Sequence, residues 1–262
     1  MIINSIVWNV SPEIFSIGGF AIRWYGLLFA LGFVLGYIIM GKIFKAENIP
    51  PKVLDTLTTY MVVGTVIGAR LGHCLFYEPE YYLSNPLLIL KVWEGGLASH
   101  GAAVGILLAL YLFARKVKKP YIWILDRVVI VVALAGLCIR MGNLMNSEIY
   151  GFETSLPWGF IFVRENETVA KHPTQIYEGL SYLLIFFVLY FIYRKNTKKL
   201  KTGLIFGLFL ILLFSVRFII EFIKEPQVGF EANMALNMGQ LLSIPFILAG
   251  VFIMYRALKL KQ

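Results

Sequence analysis

Long apolar runs separated by short polar stretches recur seven times along this chain. The pattern predicts helices over 24–43, 54–77, 97–114, 123–146, 176–193, 203–223 and 237–255. Each is near the roughly 20 residues that an α-helix needs to cross a bilayer. The runs are continuous rather than alternating, which argues against a transmembrane barrel. Glycines recur at four-residue spacing, as Gly32/Gly36, Gly64/Gly68/Gly72 and Gly101/Gly105. Such faces let helices approach closely in lipid and say nothing about chemistry. The expected fold class is an all-α integral membrane protein of seven transmembrane helices. It should form one transmembrane domain over 1–262, with short loops and an N-terminal segment, 1–23, ahead of the first span.

Composition agrees with that pattern. Of 262 residues, 59% are hydrophobic and 15% charged, and the mean hydropathy is +0.76. A soluble domain carries more charge and is nearer half apolar. The net charge of +9 sits in short tracts between apolar runs, which favours membrane lipids over nucleic acid as partner. Lys42, Lys45 and Lys52, Arg115 to Lys119, Arg194 to Lys201, and Arg256, Lys259 and Lys261 fall on one side of the predicted spans. The other side's loops hold Lys91, Arg164, Lys171 and Lys224. By the positive-inside rule the first side is cytoplasmic, placing the N-terminus outside and the C-terminus inside. Residues 1–19 lack the basic start of a cleavable signal. Cys74 and Cys138 lie in apolar runs and read as buried thiols. No metal-ligand constellation or phosphate-binding glycine loop is present.

The unusual polar residues then gather in the outer half: Arg23 and Tyr25, Arg70 and His73, His100, Arg140 and Asn143, Tyr177 and Glu178, Arg217 and Glu221, and Gln240. Asp55, Asp126 and Arg127 fall at the inner ends and read as interfacial charges. The richest stretch is 140–151, where Arg140, Asn143, Asn146 and Glu148 follow an apolar run. Arg140 and Asn143, three apart, share a helix face. Gly142 permits close approach, and Gly151 a turn with positive φ. An ionisable group at the end of a span marks a functional site or a snorkelling anchor. Two arginines on different helices, Arg140 and Arg217, suit one lipid phosphate, because the guanidinium fork fits phosphate and stays charged when buried. Glu221, one turn after Arg217, could direct it, or the two could form a structural pair. His100 lies among glycines and suits general-base work near neutral pH, or is a satisfied polar group. Thr174, after His172-Pro173, is a candidate helix cap.

Taken in order, these residues resemble a known family. Arg23-Trp-Tyr-Gly26, Gly68-Ala-Arg-Leu-Gly72, Trp93-Glu-Gly-Gly96 with His100-Gly101, and Arg140-Met-Gly-Asn with Asn146-x-Glu148-x-x-Gly151 carry the likeness. So do His172-Pro-Thr-Gln-x-Tyr-Glu178, Arg217-Phe-Ile-Ile-Glu221-Phe-x-x-Glu225-Pro226 and Met238-Gly-Gln240-x-x-Ser243-x-Pro245. The chain is similar, almost end to end, to the prolipoprotein diacylglyceryl transferases of bacteria. It departs from the family's usual pattern at Ile139, Leu144 and Leu213, where Gly, Phe and, in some members, Tyr stand.

The resemblance implies a bacterial inner-membrane enzyme with an outward-facing site and no cofactor. Its donor would be phosphatidylglycerol, its acceptor the lipobox cysteine of a prolipoprotein signal peptide, and its products a thioether and glycerol 1-phosphate. Carried over by position, His100, Arg140 and Arg217 would be catalytic, the last two binding the phosphate. Tyr25, Asn143, Asn146, Glu148, Gly151 and Glu221 would complete the substrate site. A transporter or flippase for anionic lipids is the alternative class. It should place polar groups through the full bilayer depth, whereas here they stop in one half.

Overall fold

The computed structural model describes residues 5–18, 20–92, 95–226 and 234–259; Trp93, Glu94 and Lys261 lie outside the described residues. The elements run β1 (Ile6–Trp8), β2 (Glu13–Ile17), β3 (Phe20–Arg23), α1 (Trp24–Ala46), α2 (Pro51–Phe76), α3 (Pro79–Ser84), α4 (Ser99–Val117) and α5 (Tyr121–Met145), then β4 (Phe160–Phe162), α6 (Thr174–Asn196), α7 (Leu204–Ile220) and α8 (Met238–Lys259). Among the described residues seven helices are long and apolar enough to cross a membrane, all but the short α3. Several outrun the apolar stretch that predicts them. The last turns of α1, α4, α6 and α8 contain Lys45, Arg115 and Lys116, Arg194 and Lys195, and Arg256 and Lys259. Their long stems cover apolar surface while their charges meet the negative end of the helix dipole. α7 instead stops early, tightening into a 3-10 turn at Glu221–Ile223, so Arg217 lies three residues from its end.

Chain contacts divide the molecule into two compact units, residues 40–125 and residues 1–39 with 126–262. In the first, α2 and α4 meet along their glycines. A Cβ on Gly101 would strike the carbonyl oxygen of Gly68 and lie 2.7 Å from the Gly72 Cα. The backbones touch where side chains are missing, the packing that small residues make possible in lipid. Arg70 is 3% exposed and is used locally. It donates to the carbonyls of Leu88 (2.6 Å), Ile89 (2.9 Å) and Gly95 (2.7 Å). It brackets the segment ahead of α4, so its donors serve the local backbone.

In the second unit α1 packs on α5, where a Cβ on Gly32 would be 3.4 Å from Ala135, and α7 contacts both α6 and α8. Asp126 departs from the sequence reading. It is fully buried, and its carboxylate accepts the backbone N–H of Gly203 (2.7 Å) and Phe206 (2.8 Å). α5 thus caps α7, satisfying amides that the first turn leaves unpaired. Arg127 is likewise buried rather than interfacial. The segment before α1 forms strands. β1 pairs in parallel with β4, and β2 with β3 antiparallel, where exposed Arg23 pairs with Glu13 at 3.5 Å. Leu144, Phe160 and Phe162 form a small core under Trp8, Tyr150 and Ile176. The Trp8 indole donates to the Leu144 carbonyl at 3.0 Å, tying β1 to the end of α5.

Replacing Gly101 with valine puts a branched side chain into a backbone contact. The expected loss of stability is about 1–3 kcal/mol, the range for overpacking. It would be read as an earlier unfolding midpoint in detergent, while a leucine at lipid-facing Val104 should leave the midpoint unchanged.

Candidate active site

The second unit brings one end of α1, α5, α6, α7 and α8 to a common polar cluster. It starts at the last turns of α5. Arg140 NH1 donates to Asn143 Oδ1 at 3.0 Å, realising the shared face that the spacing predicts. The chain then turns sharply. Asn146 N–H bonds to the Gly142 carbonyl (3.0 Å), Ser147 N–H to Leu144 (3.0 Å) and Glu148 N–H to Asn143 (3.1 Å). Ser147 and Ile149 have φ of 56° and 63°. A β-branched residue in that region is a strained outlier. Two side chains from the first turn of α6 hold the turn in place. Gln175 Nε2 donates to the Glu148 carbonyl at 2.7 Å and Thr174 Oγ1 to the Ile149 carbonyl at 2.8 Å. Thr174 therefore does not cap its helix, which has no side-chain cap. The result returns Glu148 onto its own helix end, where Oε1 accepts Asn143 Nδ2 (2.8 Å) and Asn146 Nδ2 (3.2 Å). Tyr25 lies within electrostatic reach of Glu148 and Arg140. Its ring rests on Gly142, where a Cβ would be 2.7 Å from Tyr25 Cδ2.

From Arg140 a chain of alternating charge runs across three helices. Arg140 Nε pairs with Glu178 of α6, and Arg140 also hydrogen-bonds the Tyr182 hydroxyl. The other Glu178 oxygen meets Lys224 Nζ at 3.4 Å. Lys224 reaches Glu221 Oε1 at 3.0 Å, and that oxygen is 3.6 Å from Arg217 NH2. Glu221 Oε2 accepts Asn237 Nδ2 at 3.0 Å. Asn237 and Gln240 exchange reciprocal bonds at the start of α8, 2.9 and 3.1 Å, the geometry of a capping box. Arg140 is 12% exposed and Arg217 34%, so Arg217 presents more of its fork to an incoming anion.

Gly151 serves this cluster by a route other than the expected one. Its φ is not positive; instead it forms an antiparallel bridge with Lys224. A Cβ there would strike the Ile223 carbonyl and lie 2.8 Å from Thr174 Cγ2 and 2.9 Å from His172 Cβ. Phe152 N–H donates to the Ile223 carbonyl at 2.9 Å. Nearby, Lys171 Nζ contacts Glu225 (2.7 Å) and Glu167 (3.4 Å). Burial lowers its pKa, but the two carboxylates outweigh that and leave it raised. Burial, then Glu167, raises the Tyr150 phenol, and burial lowers His172.

The structure thus gathers Tyr25, Arg140, Asn143, Asn146, Glu148, Gly151, Arg217 and Glu221. His100 belongs to the other unit. It is exposed at the second position of α4 and borders an apolar furrow of about 800 Å³ between α2 and α4. The sequence reading leaves Glu178, Tyr182 and Lys224 out of the site. Glu178 had a visible signal, an acidic residue within the fifth apolar run. Lys224 had none, because it follows the end of its helix and resembles a loop cation.

Comparison with known proteins decides the family. The profile described as prolipoprotein diacylglyceryl transferase matches residues 12–256. The chain belongs to this family. A phosphatidylglycerol–prolipoprotein diacylglyceryl transferase of Tolumonas auensis is 50% identical over 98% of this chain and 99% of its own. Enzymes of the same name from Porphyromonas gingivalis and Chloroherpeton thalassium are 47% and 45% identical over 97% and 98% of this chain, covering 95% and 96% of theirs.

The Gly151 bridge yields a test independent of turnover. Gly151→Ala should push the Ile223–Lys224 segment away. Hydrogen exchange at the Phe152 and Glu225 amides should quicken, with a stability loss of about 1–3 kcal/mol. Unchanged exchange at both amides would show that the close approach is not required.

Proposed function

We propose that this chain transfers the diacylglyceryl group of phosphatidylglycerol to the lipobox cysteine of prolipoproteins, the first step of lipoprotein maturation. It is a transferase of a family whose members carry that name. The observation that carries the reading is the joining of Arg140 and Arg217, from two membrane-crossing helices, in one chain of ion pairs. Two guanidiniums so linked, the fork of Arg217 the more open of the two, suit a phosphodiester. Glu148, Asn143 and Asn146 offer acceptors and donors for the glycerol hydroxyls beside it, and Tyr25 a further hydroxyl.

The chemistry needs no enzyme nucleophile. The substrate thiolate attacks the glycerol carbon next to the phosphate oxygen. A carbon–sulfur bond forms, the carbon–oxygen bond breaks, and glycerol 1-phosphate departs with the electron pair. Arg140 and Arg217 stabilise the charge that gathers on the leaving phosphate, donors fixed in advance where charge develops. The thiol proton leaves to a base, the role that the family resemblance gives His100, and passes on to the departing phosphate or to water. The basic ends of α1, α4, α6 and α8 support a cytoplasmic placement, with the Arg140 cluster facing the outer side of the bacterial inner membrane. Both substrates carry hydrocarbon and reach the site laterally from the bilayer.

Incubating the purified protein with phosphatidylglycerol and a lipobox peptide should release glycerol 1-phosphate in equal amount to lipidated thiol. Lipid movement with neither product would instead indicate a transporter. His100→Gln should abolish turnover while leaving lipid binding intact, and full activity there would remove it as the base. Arg140→Ala should cost about 100-fold or more in kcat/KM, the scale of losing one preorganised charge donor. Normal turnover would mean that the phosphate sits elsewhere.

A further inference from the structure

Lys224 is the centre of the ion-pair chain and is 2% exposed. Its ammonium touches one oxygen each of Glu178 (3.4 Å) and Glu221 (3.0 Å). Those carboxylates hold Arg140 and Arg217 respectively. Each arginine is thus directed by a glutamate, and the two glutamates share a single cation. The backbone of Lys224 is also fixed, because residue 224 bridges Gly151 and Glu225 N–H bonds to the Tyr150 carbonyl at 3.3 Å. The arginine-bearing stretches of α5 and α7 are therefore joined twice, by main chain and by charge.

We propose that Lys224 is a positioning residue for the transfer, setting the spacing and direction of Arg140 and Arg217 without touching the lipid. The proposal rests on the transferase reading and assigns a role to a residue that lies outside the phosphate contacts themselves. Without the ammonium, Glu178 and Glu221 would be two like charges in a buried setting with no common partner. Such charges do not both persist there: they separate or take up a proton. Either response turns the guanidiniums, because each loses the carboxylate geometry that aims it. A point charge with three donors can serve two carboxylates at once, and a guanidinium with its fork can do the same. A methionine of similar length cannot.

The test uses the full chain in detergent with short-chain phosphatidylglycerol as the titrated ligand, alongside turnover with a lipobox peptide. K224M should weaken phosphatidylglycerol binding, and raise its KM, by about 10-fold or more, the scale of a small misplacement of binding groups. KM for the peptide should stay within about twofold, as expected for uncoupled sites. K224R should restore lipid affinity, a rescue that a loss of general stability would not follow. Should K224M fail to accumulate, the balanced pair K224M/E178Q removes one charge of each sign and should show the same loss of lipid affinity. Wild-type affinity in K224M or in the balanced pair overturns the proposal, as does K224R failing as badly as K224M. A wild-type chain that binds the lipid but yields no glycerol 1-phosphate sinks the transferase reading, while the binding series still judges Lys224. A wild-type chain that does not bind it overturns both.

Discussion

An ammonium and two carboxylates with almost no access to water cannot stand alone. Removing each from solvent costs several kcal/mol, and the loss is offset only by close partners of opposite sign. Lys224, Glu178 and Glu221 are such a set, and their second oxygens extend the requirement outward to Arg140 and Asn237. Around these five residues α6, the end of α7 and the start of α8 have little freedom. Arg217, the least buried member, is left with the most open donors. The need to neutralise an interior charge thus also aims the groups that meet an incoming anion.

The rest of the cluster lies where helices end, for a related reason. The final turn of a helix frees its carbonyls, and a chain that leaves it can fold back on itself. After α5 it does so through Ser147 and Ile149 in unfavourable backbone conformations. Strain of that kind persists where surrounding contacts over-determine it. Here the contacts are the side chains of Thr174 and Gln175 and the small core of Leu144, Phe160 and Phe162. Their combined effect is to hold the Glu148 carboxylate against Asn143, although the residue itself stays exposed.

What was legible in the sequence follows the range of the interactions. Run length located the seven helices that are long and apolar enough to span a membrane among the described residues, because burial in lipid acts on each residue of a run alike. Pairs within one or two turns were legible too: Arg140 with Asn143, and Arg217 with Glu221. Contacts between distant segments left no local trace. Asp126 reaches Gly203 across 77 positions, and Lys224 reaches Glu178 across 46. The former therefore read as an interfacial charge and the latter as a loop cation. Gly151 was singled out for the right residue type and the wrong reason: a missing side chain was needed, not an unusual φ. The N-terminal strands were too short to read, and β1 finds its partner 154 positions away in β4, at Ile6 and Phe160.

The excursion between α5 and α6 closes on itself. Gly151 N–H bonds to the His172 carbonyl at 2.8 Å and His172 N–H to the Phe152 carbonyl at 3.0 Å. Its two stems are thus stapled together next to the bundle, and Phe160 and Phe162 pack back on Leu144, so only the tip of the excursion stands clear of the helix ends. Closing a longer loop costs only about 0.6 kcal/mol per doubling of its length. A tag inserted at its tip near Asn166 therefore adds little to the cost of closing the loop while the stapled stems hold its base.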